Sequence, residues 1–311
     1  MKAERTALIS LLAAVCVGVG IAAAGSRGGH SVGGVPVFAL AVGVAFLVQW
    51  LAFVPAYLLQ TEQFYDLTGS LTYVGVITMA AMLGPRVDAR SVVLWALVVI
   101  WAARLGTFLF GRVRKAGKDS RFDEIRPSSV RFLNAWTVQG LWVSLTMAAA
   151  LAAITSAERM TEATASPAWL DVDAFLVAGL LVWVAGFAIE VVADAQKRRF
   201  RAEPANSGRF ISTGLWSWSR HPNYFGEIVL WTGVAVIAFP VLTGWQLVTL
   251  ISPVFVYVLL TRASGVPLLE RKADATWGGQ EEYERYKART PTFVPRPPRR
   301  SAGNPPSGRT R

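Results

Sequence analysis

VPVFALAVGVAFLVQWLAFVPAYLL, residues 35–59, runs its whole length without a charged side chain. A helix needs about 20 mainly apolar residues to cross the hydrocarbon core of a bilayer, and this stretch has them. Working outward, comparable runs occupy 7–24, 67–83, 92–110, 132–154, 174–193, 224–239 and 245–260. The last two form a hairpin across Pro240-Val241-Leu242-Thr243-Gly244. Eight such stretches predict an all-α polytopic membrane helical bundle of about eight transmembrane helices. A composition of 53% hydrophobic and 16% charged residues agrees with this. The first run is read as a retained span. Its alternative is a secretory signal peptide, because Lys2 and Arg5 precede it and Ala22-Ala23-Ala24-Gly25 closes it.

Basic residues then orient the spans. The connection 112–131 carries seven Lys or Arg, 197–220 carries six, and the chain from Arg271 onward carries ten, whereas the opposite loops hold only Arg27, Arg86, Arg90 and Arg159. Positive charge is retained on the cytoplasmic side, so both termini are placed there. The net charge of +11 thereby falls where anionic lipid head groups or a phosphorylated cofactor would meet it. With no nucleic-acid-binding motif beside it, that charge gives no reason to expect nucleic acid as a partner. Cys16 alone cannot form an intramolecular disulfide, and two histidines without a cysteine partner argue against a dedicated metal site. Neither a GxGxxG nor a GxxxxGKS loop is present, which excludes a soluble dinucleotide-binding domain of those kinds. Residues 1–295 are read as a single membrane domain. Residues 296–311, rich in Pro, Arg, Ser and Gly, are read as a disordered basic tail. The charged segment 117–129 is a cytoplasmic loop placed to cover a site.

Three polar groups stand out against this apolar background. Glu190, Asp194, Arg198 and Arg201 end the sixth span at intervals of four, four and three, which puts them on one helical face. As structure, the stripe is an Asp194–Arg198 ion pair with lysine and arginine stems reaching the interface. As a site, Asp194 orients and the arginines bind the ribose and phosphates of an anionic ligand, because guanidinium forks match phosphate oxygens. The second group is Arg220, His221, Asn223, Tyr224 and Glu227, within GLWSWSRHPNYFGEIVLWTG (214–233). Pro222 suits the first turn of a helix, and a helix start offers free N–H groups to an anion. Asn223, Glu227 and Trp231 then recur every four residues, and ionisable groups at the edge of a membrane are costly unless they serve a site. The third group is Asp66 and Tyr73, two helical turns apart, able to polarise a substrate carbonyl if burial keeps the acid protonated. Their structural alternatives are a helix N-cap for Asp66 and an interfacial position for Tyr73. Glu62 and Gln63 read as loop residues, and Arg104 as a side chain reaching for the cytoplasmic interface.

Arg220-His221-Pro222-Asn223-Tyr224-Phe225-Gly226-Glu227, Ser264-Gly265-Val266-Pro267-Leu268-Leu269-Glu270 and the stretch from Tyr283 to Pro291 resemble the bacterial "domain of unknown function 1295" family, a steroid 5-alpha reductase-like group. The resemblance covers roughly residues 40 to 298 and is most specific over 190 to 295. It implies a place in the bacterial inner (plasma) membrane, with NADPH held between helices on the cytoplasmic side. Asn223, Tyr224 and Glu227 would lie near the nicotinamide, and Asp194, Arg198 and Arg201 toward the adenine, ribose and phosphates. Hydride would pass to the C=C bond of a lipophilic enone, steroid-like or isoprenoid. The Gln-Glu pair that contacts the ketone in those reductases has no clean counterpart here. Gln60-Thr61-Glu62 is displaced in spacing, and Asp66 competes for the role. The alternatives are an S-adenosylmethionine-dependent methyltransferase similar to the isoprenylcysteine carboxyl methyltransferases, and a non-enzymatic lipid-binding membrane protein.

Overall fold

A computed structural model describes residues 2–116, 119, 122–157 and 172–298. The tail from 299 onward, Arg159 and part of the 117–129 loop lie outside the described residues. The helices are α1 (Lys2–Ser26), α2 (Val37–Leu58), α3 (Tyr65–Leu83), α4 (Ala89–Ala116), α5 (Ser129–Thr146), α6 (Ala148–Thr155), α7 (Ala174–Ala202), α8 (Pro222–Ala238), α9 (Ser252–Val258), α10 (Val266–Trp277) and α11 (Glu281–Arg289). Among the described residues the only sheet is a two-residue antiparallel hairpin, Ser31–Val32 with Val35–Pro36.

Among the described residues seven helical segments are long and apolar enough to cross a membrane, and α5 with α6, bent by 56°, forms an eighth, broken one. The chain is therefore an integral membrane protein with a polytopic helical architecture, and the eight segments coincide with the eight apolar runs of the sequence. One run departs from its expected form. Residues 245–260 are not a single α-helix: a 3-10 segment, Gly244–Ile251, leads into α9, a π-helical turn over Leu259–Ala263, and α10. Proline explains part of the interruption, since Pro253 and Pro267 lack the N–H needed inside a helix and sit in the first turns of α9 and α10.

The contacts fall into two compact units, Met1–Trp183 with Trp231–Val256, and Val184–Leu230 with Tyr257–Arg311. In the first, α3 lies against α4, and α5 against α1 and α2. Polar side chains there are matched across helices: Gln49 Nε2 donates to Thr72 Oγ1 at 2.8 Å, Trp50 Nε1 to Thr137 Oγ1 at 3.1 Å and Trp95 Nε1 to Thr78 Oγ1 at 3.0 Å. Such pairing is needed where no water can solvate a donor. The α5–α6 break at Met147 frees helical carbonyls, and the Ser252 hydroxyl donates to one of them, Thr146 O. The alanine-rich α6 is buried along its whole length, which small side chains permit.

In the second unit, Trp216 packs with Ala193 and Ile211, and its indole donates to Ala193 O at 3.0 Å. Phe210 gathers Trp277, Tyr283 and Tyr286 around it. Here α7 and α8 come into backbone contact. A Cβ added at Gly186 would stand 2.6 Å from Gly226 O, and one added at Gly226 would stand 2.6 Å from Gly186 O. The same relation recurs in the first unit between Gly179 and Gly233. Matching glycines seven residues apart on each helix run in opposite senses, so α7 and α8 are an antiparallel pair in backbone contact.

Candidate functional site

The close approach at Gly186 and Gly226 sets the polar ends of α7 and α8 side by side in the second unit. One turn beyond Gly186, Glu190 is 4% exposed, and its backbone N would meet a Cβ on Gly226 at 2.7 Å. One turn further, Asn223 Nδ2 donates to Asp194 Oδ1 at 3.1 Å. Asp194 therefore holds a residue of the second group predicted from sequence, and this bond joins the first group to the second. Arg198 and Arg201, on the same helical face, are exposed to solvent. Helix α8 begins at Pro222, as its sequence predicts.

Glu270 organises the loop before α8. One of its oxygens is ion-paired with Arg220 Nη1 at 3.1 Å, and the other accepts from His221 Nε2 at 2.8 Å. A carboxylate acceptor puts the ring proton on Nε2. This leaves Nδ1 as a buried acceptor with no hydrogen-bond partner among the described residues. His221 is 5% exposed and stacks on Tyr224, ring centroids 5.7 Å apart and 10° from parallel. Burial holds its pKa below the usual imidazole value, outweighing the pull of Glu270 in the other direction. The fold therefore favours the neutral ring. Glu227 follows one turn after Asn223 and is half-buried.

The C-terminal segment buttresses this loop. Arg220 N donates to Pro291 O at 2.9 Å, Ser219 Oγ to Phe293 O at 2.7 Å, and Arg296 N to Trp218 O at 2.9 Å. Tyr286 OH donates to Trp216 O at 2.7 Å, and Lys197 Nζ lies 4.4 Å from the Trp216 ring centroid.

The third predicted group lies in the first unit, on α3. Tyr73 is 6% exposed and stands edge-on to Trp101 with centroids 5.1 Å apart, so it is a core residue rather than an interfacial one. Asp66 is not the N-cap: Phe64 holds that position, and Asp66 sits in the first turn of α3. Glu62, read from sequence as a loop residue, is 3% exposed and bound to Arg126, and it accepts from Asp119 N at 2.9 Å. Sequence reasoning missed Glu270 and Glu62 as organising acids. The available signal was that each basic cluster near them needs an acidic partner. Among the described residues no group of His, Cys, Asp and Glu is arranged to hold a metal ion.

The family described as "Protein of unknown function (DUF1295)" matches residues 52–290. The chain is 35% identical over 97 residues to 3-oxo-5-alpha-steroid 4-dehydrogenase 1 of Bos taurus, covering 30% of this chain and 35% of that protein. It is 27% identical over 73 residues to a protein of Ustilaginoidea virens named as the O-methyltransferase ustE, covering 24% of this chain and 26% of that protein. The chain thus spans about a quarter to a third of the curated relatives it matches. No solved structure matches it.

Proposed function

The chain belongs to the DUF1295 family, and on that premise we propose that it is a membrane-embedded NADPH-dependent reductase acting on the C=C bond of a lipophilic enone, steroid-like or isoprenoid. The observation that carries this reading is the polar lattice of Asp194, Asn223, Arg220, His221 and Glu270, bordered by the exposed Arg198 and Arg201. The donor set suits a dinucleotide. Two solvent-facing guanidinium groups match phosphates, the Asp194 carboxylate matches ribose hydroxyls, and the buried His221 Nδ1 accepts from an N–H or O–H of the ligand. NADPH, when bound, supplies hydride.

The protein's own groups bind and orient. Arg198, Arg201 and Arg220 neutralise phosphate charge. Asn223 holds Asp194 in place, and Tyr224 and Glu227 set the nicotinamide end. On α3, Asp66 and Tyr73 are assigned to polarising the substrate carbonyl, since a hydroxyl in an apolar core stabilises developing negative charge more strongly than it would in water. The similarity to 3-oxo-5-alpha-steroid 4-dehydrogenase 1 supports this reading.

The similarity to the O-methyltransferase ustE favours a second reading, methyl transfer from S-adenosylmethionine. Titration of the protein in lipid nanodiscs separates the two. NADPH binding with no S-adenosylmethionine binding is expected. Binding of S-adenosylmethionine alone replaces the reductase reading, and binding of neither leaves a lipid-binding membrane protein.

A further inference from the structure

A second basic feature includes Arg220. The C-terminal segment, tied to residues 218–220 by the three hydrogen bonds described above, opens a cleft of about 400 Å³ lined by Arg220, Lys287, Arg289, Thr292 and Arg296. Four cations meet there, and no carboxylate lines it. Glu270 is shared between Arg220 and His221, and Asp274 holds Lys287 at 2.6 Å. Among the described residues no acid pairs with Arg289 or Arg296. Arg220 has its Nη groups on Glu270 and Thr292, while its buried Nε has no hydrogen-bond partner. Lys287 and Arg289 in the last turn of α11 complement the helix dipole. That account does not extend to Arg220 or Arg296, which come from other segments. Glu270 and Asp274 offset Arg220 and Lys287 only, so the cleft keeps the two charges of Arg289 and Arg296 uncompensated, an arrangement that is unfavourable unless an anion enters.

We propose that this cleft binds a phosphate group, recognised by the guanidinium groups of Arg289 and Arg296 and by Lys287. The chemistry suits a phosphate monoester or pyrophosphate, because guanidinium forks and an ammonium match its several oxygens. Two sources carry that group: a soluble phosphate and the head group of an anionic phospholipid. The site goes beyond the cofactor reading. Arg198 and Arg201 carry that reading and Arg289 and Arg296 carry this one, so each can fail without the other.

The test uses the full chain in phosphatidylcholine nanodiscs, with inorganic pyrophosphate titrated by calorimetry, and in nanodiscs containing one-fifth phosphatidic acid, with thermal stability as readout. The double variant Arg289→Gln/Arg296→Gln changes two exposed side chains. Lys272→Gln/Arg209→Gln, exposed and outside the cleft, is the control for overall charge. The first variant is expected to weaken pyrophosphate binding about tenfold or more, as for lost charge-assisted hydrogen bonds, or to abolish the stabilisation by phosphatidic acid. The arm that responds identifies the source. The proposal is overturned if wild type responds in neither arm, or if the control variant loses as much as the cleft variant.

Discussion

At the scale of single residues, the site depends on which groups are held and which are left facing a ligand. His221 is held by Glu270 and offers Nδ1. Its pKa is depressed by burial, so the fold favours the neutral ring. The stabilisation this gives is fully present above the unfolded value of about 6.5 and is lost as pH falls through the folded value. The melting temperature of wild type should therefore drop more between pH 7 and pH 5 than that of His221→Asn, and equal slopes would show that the ring is not buried in its neutral form. Arg198 is exposed, so its truncation leaves the fold intact; Arg198→Ala should weaken NADPH binding by about 1–3 kcal/mol, the scale of a charge-assisted hydrogen bond. Unchanged affinity in Arg198→Ala/Arg201→Ala would remove the phosphate role of the stripe. Glu227→Gln keeps volume and removes a carboxylate from the entrance of a span. The expected result is normal expression and membrane insertion with NADPH-dependent reduction lost, and full turnover would make this carboxylate structural.

At the scale of elements, the contact between α7 and α8 decides where these residues stand. A side chain at Gly226 would meet Gly186 O and Glu190 N at 2.6 and 2.7 Å, both backbone atoms that cannot rotate away. Gly226→Ala should thus part the helices, cost about 1–3 kcal/mol as overpacking does, and weaken cofactor binding as Asn223 moves from Asp194. Gly43 on α2 has nothing within 4 Å of an added Cβ. Gly43→Ala should be neutral or stabilising by up to about 1 kcal/mol, from helix propensity. Thermal melting of both variants in one detergent checks the contrast, and similar losses would mean that the backbones are not in contact. The spans and the start of α8 were legible in the sequence because apolar length and the placement of Pro222 are local properties. So was the Asp194–Arg201 face, since helical periodicity is local too. The break at Met147 and the irregular Gly244–Ile251 segment were not, because the carbonyl freed by the break is satisfied by Ser252, a residue distant in sequence. Glu270 was missed for the same reason: nothing local says which acid a basic pair will choose.

At the scale of the whole molecule, the remaining assignment is orientation, which lies in the distribution of charge rather than in any contact. The connections assigned to the cytoplasm, with both termini, carry 25 of the 31 Lys and Arg, against four on the opposite side, with Arg104 and Arg262 left within spans. Lysine and arginine resist translocation, and a bias this large sets the direction of an even number of spans. The second-unit site would then face the cytoplasm, where reduced dinucleotide and anionic head groups are both available. The four cations of the 220–296 cleft would stand on the same side, where the negative surface potential of the inner leaflet raises the local concentration of cations and favours basic segments. Single cysteines placed in a Cys16→Ser background read this directly. Ser129→Cys, at the first residue of α5, and Ser207→Cys, after α7, should react only once a membrane-impermeant maleimide gains entry to the cytoplasm, whereas Ser31→Cys in the short hairpin after α1 should react from outside intact cells. Labelling of Ser31 and Ser207 from the same side would mean that the number of crossings between them is even. The chain would then have lost one of the spans α2, α3, α4, α5–α6 or α7, and the cytoplasmic placement of the site would have to be abandoned with it.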